Sequence, residues 1–138
     1  GEGWVPIGRE DDGDFKEHAF RGDFDGDGHL ITGLKINRAA ADYQGLFGVV
    51  GEGGVVRNLG IDNGDITGKD YLGTVAGAVY SSTIENCFST VRLSGGSFTG
   101  GIAGMVREGL VQNCHSAGDM SGGNNVGGIA GFVADGTV

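Results

Sequence analysis

The feature that most constrains this chain is an internal repeat of about 27 residues. "VVRNLGIDNGDITGKDYLGTVAGAV" from Val55, "TIENCFSTVRLSGGSFTGGIAGMV" from Thr83 and "LVQNCHSAGDMSGGNNVGGIAGFV" from Leu110 superpose. Asn58, Asn86 and Asn113 fall at steps of 28 and 27, and Gly77, Gly104 and Gly131 at steps of 27 and 27. Gly48 precedes Gly77 by 29 residues. One extra residue lies between Asn58 and Gly77 relative to the later copies, which a turn can absorb. A unit this short buries no core alone and must stack on its neighbours.

Each copy carries three apolar bursts with glycine punctuation. They are Val56-Arg57-Asn58-Leu59 and its equivalents, the runs around Ile66, Leu93 and Met120, and the runs around Val75/Val79, Ile102/Val106 and Ile129/Val133. Alternation with a period of two reads as strand, and no amphipathic helical window interrupts it. The expected fold is all-β: a right-handed parallel β-helix of about four coils. Successive coils should rise by roughly 4.8 Å. Equivalent residues then form ladders. Val56, Ile84 and Val111 should point inward, and Asn58, Asn86 and Asn113 should line a bend where their amides serve turn backbone groups. The recurrent glycines should supply positive φ at corners and let the thin walls approach.

Residues 1–27 hold nine acidic and three basic residues, against nine and six in the remaining 111. They are expected to form an acidic cap and lead-in strand, with Trp4, Ile7, Phe15 and Phe20 covering the first coil; repeats occupy 28–138. The net charge of −9 argues against nucleic acid and anionic membranes as partners. No run of 18 apolar residues occurs. The chain reads as a mature or excised fragment that stops inside a repeat at "DGTV". The open last coil should invite end-to-end pairing.

The order "WVPIG", "FRGDFDGDGHLITGLKI", "GLFG" and repeated "GG-I-A-G" resembles the GLUG-motif proteins over nearly the whole chain. These are bacterial cell-surface repeat proteins, including adhesin-like polypeptides and non-catalytic regions of some immunoglobulin A peptidases. The resemblance implies a right-handed parallel β-helix in an extracellular or cell-surface setting, without implying one ligand. Thr74 departs from the pattern by replacing the first glycine of its unit.

Several residues invite a chemical reading. Asp23, Asp25 and Asp27 alternate before Gly28, as in the opening of a calcium loop. The ninth and twelfth places of such a loop are Ile31 and Leu34, so the helix–loop–helix form is excluded. A looser calcium site, helped by Asp11, Asp12 or Asp14, competes with a tight turn, which the residue types favour. No other cofactor is expected. His18, His29 and His115 lack metal-ligand spacing; His29 reads as a turn cap and His115 as a surface variant. Cys87 and Cys114 share a repeat position and should be free, buried, apolar-like thiols in adjacent coils. Tyr71 and Phe98 align across copies, with Tyr43 as a candidate third, either as a carbohydrate platform or as loop packing. Outward ladders Arg57/Glu85/Gln112 and Asp65/Arg92/Asp119 mix charges rather than cluster carboxylates as a glycosidase needs. No enzymatic activity is therefore expected. The expected role is a structural or adhesive segment, with a host or bacterial surface protein or polysaccharide as partner. An accessory domain of a surface peptidase and a carbohydrate-binding module are the alternatives.

Overall fold

The structure is a computed structural model that describes residues 1–10 and 13–138. The described residues contain no helix, and their strands stack in parallel into a β-solenoid of about four turns. One face is built from β1 (Asp23–Thr32), β2 (Lys35–Asn37), β4 (Val55–Thr67), β7 (Thr83–Ser94), β10 (Leu110–Gln112), β11 (His115–Ser116) and β12 (Met120–Ser121). A second stacks β3 (Phe47–Val50), β6 (Ala76–Tyr80), β9 (Ala103–Arg107) and β14 (Ala130–Ala134). The third stacks the short strands β5 (Leu72–Gly73), β8 (Thr99–Gly100) and β13 (Val126–Gly127).

The pairing register is the sequence repeat made physical. Val56 pairs with Ile84 and Ile84 with Val111, and all three are buried. Ile66 pairs with Leu93 and Leu93 with Met120. Each fully buried aliphatic side chain contributes about 1.5–3 kcal/mol of transfer free energy. The first two apolar bursts are not separate strands in the middle coils. They run together as β4 and β7, which pair with each other on both sides of the irregularity between Asp62 and Asp65. The third burst divides instead, into β5 with β6 and β8 with β9. The extra residue of the copy that starts at Val55 sits at a bulge between Asp62 and Asp65, where Asn63 takes a φ of 53°.

Three corners repeat up the solenoid, each turned by a residue in the left-handed region. One carries Asn58, Asn86 and Asn113 at φ of 53–56°. Another carries Tyr43, Tyr71, Phe98 and Asn125 at 56–62°. The last carries Gly53, Ser81, Glu108 and Asp135, with Gly53 at 78°. The glycines of the "A-G" units are therefore not the corner residues, which corrects the sequence expectation. Close approach explains them instead. A Cβ on Gly77 would lie 2.6 Å from Tyr43 Cα, and one on Gly104 2.6 Å from the Gly77 carbonyl oxygen. Only glycine lets the strand pass beneath the preceding corner.

The cap extends the ladders downward. Ile7 bridges to Phe47 and Phe20 to Val50, both in parallel. Phe20 and Phe24 pack on Phe47 at ring distances of 4.8 and 5.5 Å and cover the bottom of the core. Trp4 and Ile7 do not cover it; they stay 40% and 37% exposed. Trp4 instead donates its Nε1 hydrogen to the Leu46 carbonyl at 3.0 Å. Phe15 lies on the outer flank, against Val49, Ala78 and Met105, stacked on Tyr80 at 5.6 Å. That strand face is thus apolar on both sides, so neither side reads as the solvent side from sequence.

Candidate functional site

The aspartate run occupies the lowest corner. Asp25 pairs in register with Arg57 and His29 with Leu59, so Gly26, Asp27 and Gly28 stand where the upper coil has Asn58 alone. The corner is wider by two residues, and Asp27 and Gly28 take φ of 53° and 75°. Asp25 organises it: one carboxylate oxygen accepts the Asp27 backbone N–H at 2.8 Å and the Asn58 side-chain amide at 3.0 Å. The hydrogen bond from Asn58, then that from Asp27, and the nearby Arg57 hold the Asp25 carboxyl below its usual range. The imidazole of His29 closes the turn, its Nδ1 donating to the Gly26 carbonyl at 2.9 Å.

Arg57 takes up the other aspartate oxygens, at 2.9 Å from Asp23 and 3.7 Å from Asp25. The Asp23 and Asp25 carboxylates are thus engaged with a guanidinium, an amide and the turn, which Asp27 joins through its backbone N–H. Among the described residues no three Asp, Glu, His or Cys side chains group as a metal site requires. Asp11 and Asp12 lie outside the described residues, and Asp14 is occupied with the Lys16 backbone N–H at 2.7 Å.

Above this corner Asn58, Asn86 and Asn113 each take the left-handed conformation at the bend. Asn86 Nδ2 donates to Asn58 Oδ1 at 3.3 Å, one coil below, and Asn58 Nδ2 to Asp25, so these two amides serve side chains rather than the turn backbone. Beside them Gln112 donates to Glu85 at 2.8 Å. Cys87 is buried and Cys114 half-buried, and both are free thiols. The neighbouring Cys114 thiol, then burial, holds the Cys87 thiol far above its usual range. Cys87 also donates to the Glu85 carbonyl at 3.3 Å. His115 stacks flat on Phe88 at 5.3 Å, on the outer face.

The aromatic corner is a continuous column. Tyr43 and Tyr71 lie 4.6 Å apart and 6° from parallel, and Tyr71 and Phe98 4.8 Å and 8°. The faces that a sugar ring would cover are occupied by neighbouring rings, so this column packs the corner rather than offering a platform. Stacking compensates for bulky residues held at positive φ, a conformation that costs an L-residue about 1–2 kcal/mol. Burial, then the neighbouring Tyr71, raises the Tyr43 phenol well above its usual range.

Thr74, the departure from the repeat, is explained by Ser89. The Ser89 hydroxyl donates to Thr74 Oγ1 at 2.8 Å inside the core, so two buried hydroxyls satisfy each other. Neither residue invited a pairing at sequence level, because they sit 15 positions apart and on different faces.

No family model matches the chain. It is 40% identical over 95 residues to halomucin of Haloquadratum walsbyi, covering 69% of this chain and 1% of that protein. It is 47% identical over 78 residues to a provisionally named Gly-rich membrane protein of Evansella cellulosilytica, covering 56% of this chain and 8% of that one. A solved structure of a provisionally named immunoglobulin A1 protease from Bacteroides ovatus matches with a TM-score of 0.56 and 26% identity. That match covers 94% of this chain and 50% of the solved one. The chain therefore spans a small part of the curated relatives and half of the solved relative.

Proposed function

We propose that this chain is a rigid, non-catalytic spacer and attachment segment of a long secreted or surface-anchored protein. The observation that carries the reading is the in-register stacking of equivalent side chains through the β1–β4–β7–β10 face. Such a stack can be lengthened coil by coil without a new core design. The relatives support it: one is a halomucin and one bears a membrane-protein name, and the chain matches a small fraction of each. An extracellular setting and a surface protein or polysaccharide as partner belong to this reading. The outward carboxylates engaged by Arg57 and Gln112 support a non-catalytic surface.

The test is protease shaving of intact cells of the organism that makes the protein. Peptides from residues 55–138 should be released by external protease. Their recovery only from the lysed interior would overturn the surface reading. A second reading, an accessory segment of a surface peptidase, is favoured by the solved relative. It predicts that deleting this segment from the parent protein changes peptidase activity, whereas the spacer reading predicts altered surface reach or adhesion.

A further inference from the structure

The fold sets the two cysteines of the chain one above the other. Gln112 pairs with Glu85 and His115 with Phe88, so Cys114 stands in register over Cys87, one coil away. Their sulfurs make the same contacts in each coil. Cys87 Sγ lies 3.3 Å from the Glu85 carbonyl oxygen and 4.0 Å from that of Val56, in the coil below. Cys114 Sγ lies 3.3 Å from the Gln112 carbonyl oxygen and 3.9 Å from that of Ile84, again in the coil below. Val56 and Ile84 are themselves partners in register. The two side chains thus share one orientation, and one is the other moved up by a coil.

That translation fixes the spacing. Side chains of like orientation on neighbouring parallel strands keep the strand separation of about 4.8 Å at Cβ and at Sγ alike. It is too wide for a disulfide, whose Cβ atoms stand about 3.8 Å apart. It fits two metal–thiolate bonds of about 2.3 Å laid end to end, which span about 4.6 Å. Below the pair, Leu59 holds the same place in the ladder, 3% exposed, and closes the column with an apolar side chain. Two sulfurs over an apolar floor suit a soft d10 cation satisfied by two ligands in a line. They do not suit zinc, which takes three or four protein ligands.

We propose that Cys87 and Cys114 together bind one soft monovalent cation, of the Cu(I) or Ag(I) kind, in a line between their sulfurs. Cys87 is 1% exposed, whereas Cys114 is half-buried and borders a cavity of about 510 Å³ shared with Val111, Ile129 and Thr137. The ion therefore meets Cys114 first and gains Cys87 as its second ligand. Two S–H bonds give way to two S–metal bonds, both protons pass to water, and the metal keeps its oxidation state. Both thiols pack against the core, so the site does not rest on the spacer reading.

The experiment is an anaerobic titration of the 138-residue chain with Cu(I), with Ag(I) and with Zn(II) in separate arms, each against a chromophoric competitor. One ion per chain is expected for Cu(I) and Ag(I), with a first shell of two sulfurs by X-ray absorption. C87S and C114S each remove a direct ligand. Each should weaken binding by at least the roughly tenfold that losing a supporting partner of a ligand costs. Circular dichroism checks that both variants fold. Should either unfold, the parent chain decides: one equivalent of Ag(I) should protect both thiols from iodoacetamide, and alkylation of Cys114 alone should abolish uptake. No uptake of Cu(I) or Ag(I) overturns the proposal. So do two ions per chain, Zn(II) held as tightly as Cu(I), or binding unchanged in both folded variants.

Discussion

The side-chain amide of Asn58 donates to the Asp25 carboxylate at 3.0 Å, one coil below, and receives in turn the amide of Asn86 at 3.3 Å. An acidic turn and a polar ladder are thereby one hydrogen-bonded column. The column does two things. It holds three corners in the left-handed conformation, and it ties the cap to the repeats.

Replacing Asn86 should separate these contributions. N86A loses both the side-chain bond and asparagine's tolerance of positive φ, and should cost about 1–2 kcal/mol. N86G keeps the backbone freedom and should cost about half as much. Urea unfolding of the two variants against the parent checks this; equal losses would show that φ is not what asparagine supplies there.

Asp25 should make stability depend on pH at the acid end. Its folded carboxyl is held below 3.8 by Asn58, Asp27 and Arg57. A depressed folded pKa adds stability that is present above the unfolded value and lost as pH falls through the folded one. Carbon NMR of the carboxyl should give a midpoint below 3.8. D25N should flatten the fall in thermal midpoint below that pH.

Calcium should leave the protein unmoved. Arg57 lies at 2.9 and 3.7 Å from the two aspartates that a cation would need. Thermal midpoints in millimolar calcium and in chelator should coincide. A calcium-dependent rise would mean that the cation displaces the guanidinium.

Two glycines that look alike in the repeat should behave oppositely. G77A places a methyl group 2.6 Å from the backbone of Tyr43, which cannot move without breaking its column. The loss should be about 3 kcal/mol. G128A meets nothing within 4 Å, at a φ outside the left-handed region, and should be close to neutral. Chemical denaturation of both variants gives the comparison.

The thiols should react in order. Cys114 is half-buried, whereas Cys87 is 1% exposed with its thiol held protonated by Cys114 and by burial. Iodoacetamide should label Cys114 first in the folded chain and both residues at similar rates in denaturant. Mass spectrometry of the labelled peptides reads the order directly. Faster labelling of Cys87 would contradict the packing.

The spacing of Asn58, Asn86 and Asn113, with Val56, Ile84 and Val111 two places before them, determined a parallel solenoid of this coil length before any coordinate was known. A period is a property of the chain, and only stacked coils bring every copy of an apolar residue into one ladder. What sequence could not decide is how each place in the period is used. Tyr71 reads equally as a carbohydrate platform or as loop packing until its two ring neighbours are in view. Gly77 reads as a corner until the backbone of Tyr43 is found against it. Asp23 and Asp25 read as turn residues with a competing calcium role, and nothing in their spacing signals Arg57, more than thirty residues on, which pairs with both. Periodicity carries local and nearest-coil information, whereas charge pairing and close approach depend on which residues the coils and the cap bring face to face.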